Sequence, residues 1–260
     1  MTAPFATAPT ATPADEPAIA VRDLGVAFAR PVLRHINLEI PRGCLYGLIG
    51  PGASGKSVLL KCLAGLLRPQ HGEVRVLGQE VTKLDELGLA ALRQRMGMLF
   101  QNNALFDFMT VAENIGFPLR QRGAADGQIR ERVAERLACV GLSGFEERLP
   151  SRLSGGQKKR VGVARATVAA AEVVLYDEPA AGLDPVTSQR IFDLLRAEQR
   201  AAGATVVMVS SDLDRLLPVT DRIGVLLDGK LAFDGSVADA RQSENEAVRQ
   251  FVTGSPDGPL

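Results

Sequence analysis

Period-two alternation of apolar and polar residues runs intermittently through residues 18–28 and 32–40, with Arg30-Pro31 between them. It predicts two strands joined as a hairpin or meander. A short apolar run, CLYGLI at 44–49, ends in a glycine-rich turn and passes into helical spacing over 56–67. The pattern then predicts a strand pair near 72–81, a short helix near 87–95 and a strand at 96–100. Ile129, Val133, Leu137 and Val140 recur every three or four residues, the stripe of an amphipathic helix stopped by Gly141. Two β-rich apolar runs, 173–176 and 205–209, each follow a helical stretch, and runs at 223–227 and 230–233 flank the hairpin signal Asp228-Gly229. Buried strands alternating with helices predict an α/β fold on a parallel sheet covered on both faces. Residues 1–17, rich in Ala, Thr and Pro, offer little to a core and are expected to be disordered.

Composition narrows function more than fold. The 260 residues fit one large domain or a core with a subdomain. Thirty basic residues balance thirty acidic ones, so there is no broad field to attract nucleic acid or anionic lipid, and no nucleic-acid partner is expected. No window approaches the roughly 18 uninterrupted apolar residues of a membrane span, and the N-terminus lacks the basic-then-apolar order of a secretory signal. Cys44, Cys62 and Cys139 are scattered without metal-ligand spacing and read as buried small hydrophobes in a reducing compartment. The chain reads as soluble and cytoplasmic.

Gly50, Pro51, Gly52, Ala53, Ser54, Gly55, Lys56 and Ser57 match G-x-x-x-x-G-K-S between an apolar strand and a helix. Glycines open torsions closed to other residues, so successive N–H groups can converge on one anion, and the helix dipole adds to that field. Lys56 supplies a point charge to the terminal phosphates and Ser57 a hydroxyl to Mg²⁺. A second pattern, VVLYDE at 173–178, delivers two carboxylates at the C-terminal end of a strand, the edge where such sheets bind ligands. Asp177 can hold Mg²⁺ and Glu178 can orient and deprotonate the attacking water. Together the two patterns predict a nucleotide-binding protein.

Leu153, Ser154, Gly155, Gly156 and Gln157 precede helical spacing over 158–171. This makes a second anion site of N–H groups and a hydroxyl, or a plain helix cap with glycines. As an anion site it is explained most economically by a symmetric dimer in which each subunit closes on the nucleotide held by the other.

In their order along the chain, GPGASGKS, Gln101 after a strand, LSGGQ, VVLYDEP and AGLD resemble the nucleotide-binding subunit of an ABC (ATP-binding cassette) transporter over roughly 18–235. The resemblance implies a P-loop NTPase cassette with a RecA-like parallel sheet core, an antiparallel β subdomain and an α-helical subdomain at about 102–160. Residues 236–260 then form a C-terminal extension. It implies ATP and Mg²⁺, a homodimer and integral-membrane permease subunits. By the same resemblance Gln101 senses Mg²⁺ and links the core to the helical subdomain. Ser154 and Gly156 meet the γ-phosphate across the dimer, and Asp184 communicates between the sites. Asp184-Pro185 also reads as the cap and first turn of a helix through Leu195. Phe28 stands at the adenine-stacking position, with a strand-end core residue as the other reading.

One position departs from the family. In the stretch Val209-Ser210-Ser211-Asp212, Ser211 stands where the family usually carries a histidine. A serine is shorter and uncharged, and losing a charge-assisted hydrogen bond costs about 1.5–3 kcal/mol. Hydrolysis is therefore expected to be slow but real, since Glu178 is intact.

A nucleotide clamp without a membrane segment needs a membrane partner to move a substrate. The segment 102–119, with Phe106, Phe108 and Met109, is the candidate docking surface, unless these residues staple the loop to the helix beginning near Thr110. MGMLFQNNALFDFMTVAENIGFPLR and the tail at 245–259 are similar to ATPases of the Mla type, which traffic phospholipid with MCE-domain lipid-binding proteins. Val248 and Phe251 predict one apolar edge of a short tail helix that buries against its own body or a neighbouring subunit. The resemblance implies phospholipid transport across the bacterial envelope, with the subunit peripheral on the cytoplasmic face of the inner membrane. An ABC ATPase for another solute and a slow-hydrolysing regulatory clamp are the competing readings.

Overall fold

The computed structural model describes residues 16–101 and 104–260; most of the leader predicted at 1–17, and Asn102 and Asn103, lie outside the described residues. The chain begins with β1 (Ile19–Ala27), β2 (Pro31–Ile40) and β3 (Leu45–Ile49), then α1 (Lys56–Leu63), β4 (His71–Val76), β5 (Gln79–Glu80), α2 (Glu86–Gln94) and β6 (Met96–Leu99). Three helices follow, α3 (Val111–Gln121), α4 (Asp126–Cys139) and α5 (Gly155–Thr167). After them come β7 (Val173–Asp177), α6 (Pro185–Ala202), β8 (Thr205–Val209), α7 (Leu213–Leu216), β9 (Arg222–Leu227), β10 (Lys230–Gly235), α8 (Val237–Arg241) and α9 (Glu246–Thr253).

The strands form two sheets. Four antiparallel strands run in the order β2-β1-β4-β5, and six run β10-β9-β3-β8-β7-β6, parallel except for the β9–β10 hairpin. Alternation divides the central strands between two cores. Val174, Tyr176, Val206 and Met208 join α3 to α6 on one face; Val173, Leu175, Val207 and Val209 join α1, α2 and the antiparallel sheet on the other. The α/β reading with a parallel core and an antiparallel sheet therefore holds. In the β9–β10 turn, Asp228 and Gly229 take φ 48° and 74°, the left-handed pair that this hairpin connection needs.

Several boundaries differ from the sequence pattern. α1 stops at Leu63, because Gly65 turns left-handed at φ 64° and Arg93 ties down its carbonyl. α5 starts at Gly155 and ends at Thr167, not over 158–171: Ser154 and Gln157 close a capping box that draws the glycines into the first turn. α6 runs past Leu195 to Ala202, where Gly203 at φ 62° ends it. Cys44 and Cys62 are buried as expected, but Cys139, the last residue of α4, is exposed. In α9 the buried pair is Val248 with Val252, four residues apart, and Phe251 is half-buried; all three pack on the chain's own core.

Strand register places the chemistry. Leu48 is level with Val209, Val209 with Asp177, and Tyr176 with Leu99. The segments leaving β3, β8, β7 and β6 therefore emerge together at the C-terminal edge of the sheet, carrying Gly50, Ser211, Glu178 and Gln101.

Candidate functional site

The turn from β3 into α1 is built on backbone geometry that its glycines permit. Gly50 takes φ 149° and a Cβ there would lie 2.1 Å from the Leu226 carbonyl oxygen; Gly55 takes φ 104°, where a Cβ would meet Leu33 at 2.6 Å. Gly55 caps α1 without a side-chain bond, so the first N–H groups of the helix remain for a ligand. Lys56 folds back over the turn, donating from Nζ to Gly50 O at 2.8 Å and Pro51 O at 2.6 Å. Its Nζ also reaches Ser54 Oγ at 3.3 Å. Burial draws the Lys56 pKa below the usual lysine value, and the nearby carboxylates of Glu178 and Asp177 oppose that shift. Gly52 and Ala53 form the exposed crest of the turn, and Ser54 is buried beneath it.

Ser57 Oγ donates to Asp177 Oδ1 at 3.0 Å, and Asp177 is 6% exposed. A hydroxyl beside a buried carboxylate, under a cradle of N–H groups, is an oxygen donor set suited to Mg²⁺, which keeps waters and phosphate oxygens as its remaining ligands. The residues present thus fit a metal-bound polyphosphate.

Glu178 follows with φ 52°, left-handed for a non-glycine residue and costing about 1–2 kcal/mol. Its N–H donates to Val209 O at 3.0 Å, and its carboxylate accepts from Ser211 Oγ at 3.2 Å. Ser211 thus meets the Glu178 carboxylate directly. Its buried neighbour Ser210 accepts from the Asp212 N–H.

Gln101 comes to the same edge. Its side chain is exposed and makes no hydrogen bond to Ser57 or Asp177; its backbone carbonyl accepts from Lys159 Nζ at 2.8 Å. Phe28, in the turn between β1 and β2, is 65% exposed, which removes the reading as a core residue and leaves its ring open to solvent.

Ser154 and Asp184 stand apart from this cluster as helix caps. Ser154 Oγ accepts from the Gln157 N–H at 3.2 Å, and the Gln157 side chain returns to the Ser154 N–H at 2.9 Å. Leu153 is buried behind them, Gly155 faces open space and Gly156 approaches Leu183. Asp184 Oδ1 accepts from the N–H groups of Val186 and Thr187. Its pKa is lowered, first by hydrogen bonding with the Thr187 side chain and then by these backbone N–H groups. Within one chain neither residue contacts the phosphate cradle.

Two residues of consequence escaped the sequence reading. Lys159 is buried at 6% exposure, although it sits in the cationic run Lys158-Lys159-Arg160. Its spacing to Gly162, Val163 and Ala166, the inward face of α5, was the available signal. Asn114, fully buried in α3, accepts from the Phe106 N–H at 2.9 Å and donates to the carbonyls of Phe106, Met109 and Thr110. It holds the loop before α3 while Phe106 packs on Phe117 at 4.9 Å between ring centroids. Phe106 is thus stapled as one of the two readings allowed, whereas Phe108 is 79% exposed. Beside it lies a groove of about 310 Å³ lined by Met96, Met98, Phe100, Phe106, Phe117 and Pro118 among others. No described helix is long and apolar enough to cross a membrane.

Comparison with known proteins gives the chain a family and a fold. The family model described as ABC transporter matches residues 33–181. The methionine import ATP-binding protein MetN of Xylella fastidiosa is 41% identical over 85% of this chain. The chain spans 66% of that relative's own length. The protein TRIGALACTOSYLDIACYLGLYCEROL 3, chloroplastic, of Arabidopsis thaliana is 40% identical over 93% of this chain and 75% of its own length. Among solved structures, the dimeric ATP-binding cassette MJ0796 in a post-hydrolysis state with ADP and Pi superposes with a TM-score of 0.79 at 31% identity. That match covers 84% of this chain and 98% of the MJ0796 chain.

Proposed function

We propose a function from one premise: this chain belongs to the ABC transporter family, as one of its ATP-binding cassettes. It binds ATP at the turn between β3 and α1, hydrolyses it in a homodimer, and drives a separate integral-membrane permease. The observation that carries this reading is the Ser57–Asp177 pair at 3.0 Å beneath the N–H cradle, with Glu178 next in the chain and bonded to Ser211.

The chemistry follows from those positions. The cradle N–H groups and Lys56 bind the phosphates, and Phe28 offers an exposed ring to the base. Ser57 and Asp177, joined by Gln101 as the third candidate ligand, would hold Mg²⁺, which neutralises charge on the phosphates. Glu178 takes the proton of the attacking water, and Ser211 orients its carboxylate. Ser154 and Gly156 of one protomer face the nucleotide of the other, and Asp184 lies between the two sites. Support for the dimer comes from the MJ0796 cassette, which is dimeric in its solved structures.

The apolar groove beside Phe106 is the docking surface for the permease, which makes the chain a peripheral subunit on the cytoplasmic face of an inner membrane. For the cargo we favour phospholipid, handled with an MCE-domain lipid-binding protein. The resemblance of 96–120 and 245–259 to Mla-type ATPases supports this, as does a relative over 93% of the chain that is named for a galactolipid. Import of a small solute is the second reading, favoured by the relatives named for methionine import. The test is to purify the chain with its membrane partners and identify what accompanies it. Co-purified phospholipid and an ATPase rate raised by the permease support the lipid reading. Stimulation by methionine instead moves the assignment to the solute reading, and no hydrolysis under any condition leaves a regulatory clamp.

A further inference from the structure

Lys159 reaches from α5 into the space between the ends of β6 and β7. Its Nζ donates to Gln101 O at 2.8 Å and to Glu178 O at 3.0 Å, from a side chain 6% exposed. A buried ammonium is costly unless its donors are met, and here two carbonyls from adjacent strand ends meet two of its three. Burial lowers the Lys159 pKa, and the carboxylates of Glu178 and Asp177 oppose that shift and favour its charge.

The contact falls where the chain most needs support. Glu178 is left-handed at φ 52°, and a strained residue persists only when its surroundings fix it. Its N–H is fixed by Val209 on β8, its carbonyl by Lys159 on α5, and its carboxylate meets Ser211. The same helix grips the loop after Gln101 again, further along, where Arg165 Nη1 donates to Ala104 O at 2.8 Å. The first turn of that helix is capped by Ser154.

We propose that Lys159 is a positioning residue that locks the backbone of Glu178 to the loop of Gln101, so that displacement of α5 or of that loop re-aims the Glu178 carboxylate. The inference rests on the reading of Glu178 as the base for the attacking water. It adds that this base is set from the helix carrying Ser154 rather than by the β7 edge alone.

The test is steady-state ATP hydrolysis by the full chain. Lys159→Met keeps the length of the side chain but removes its donors; kcat is expected to fall about ten- to hundredfold with the KM for ATP within about twofold. Lys159→Gln, whose amide carries two N–H donors, is expected to recover most of that loss. Lys159→Arg keeps charge and donors at a different reach, so the split between kcat and KM can be read even if the Met variant does not fold. A kcat within twofold of the parent in Lys159→Met, or a KM that rises in step with the loss, overturns the proposal. Glu178→Gln run alongside separates the two failures. If it still hydrolyses ATP, the assignment of the base is wrong; if it is inactive while Lys159→Met is unaffected, only the role of Lys159 fails.

Discussion

The phosphate cradle and the capped start of α5 are both glycine-rich helix entrances, yet they are finished to different degrees. At the cradle, Lys56, Ser57, Asp177, Glu178 and Ser211 already contact one another or the turn itself, and Asp177 is buried. At α5, Ser154 satisfies only its own capping box, Asp184 only the first turn of α6, and both are exposed. The first is a site within one chain. The second is, within one chain, two helix caps, and on the function proposed above its ligand is brought by a second copy.

The largest expected effect lies on the finished side. Glu178→Gln keeps the shape of the side chain and removes the base, so hydrolysis falls by about 10²- to 10⁴-fold while ATP binding persists. Single-turnover kinetics beside an equilibrium binding assay separate the two. Ser211→His on the same side places a chargeable donor beside the Glu178 carboxylate and is expected to raise turnover by about 10- to 100-fold; an unchanged or lower rate overturns the expectation that Ser211 slows hydrolysis. On the open side, Gly155→Glu has room, since nothing lies within 4 Å of a Cβ there, and a carboxylate suits a helix N-terminus. It is expected to leave the melting temperature and single-chain nucleotide affinity unchanged. Dimerisation with ATP, read by sedimentation, weakens at least about tenfold because the carboxylate faces a triphosphate. The smallest effect is Asp184→Ala, which loses two N–H bonds and about 0.5–2 kcal/mol of stability by thermal or urea unfolding.

The same division explains what the sequence made legible. CLYGLI, the glycine turn after it and VVLYDE are local patterns whose structural meaning depends on a few adjacent residues, and they appear where the alternation and the run lengths put them. The hairpin at Asp228-Gly229 is equally local. Lys159 and Asn114 were hidden because their roles depend on what lies across from them: carbonyls 58 and 19 residues away for Lys159, and a loop folded back over α3 for Asn114. A lysine in a cationic run and an asparagine in a helix both look like solvent-facing residues until tertiary packing closes over them. Cys139 errs in the other direction, an apolar-looking residue left outside because it ends α4 where the helix turns to solvent. α5 begins three residues early because a reciprocal cap can recruit glycines that propensity alone assigns to a loop.

Whether two copies complete each other's nucleotide sites can be seen in a structure of Glu178→Gln loaded with ATP and Mg²⁺. A symmetric dimer with Ser154 of each protomer against the triphosphate bound by the other is the predicted result. A nucleotide fully enclosed by a single chain, with Ser154 remote from every triphosphate, would contradict it.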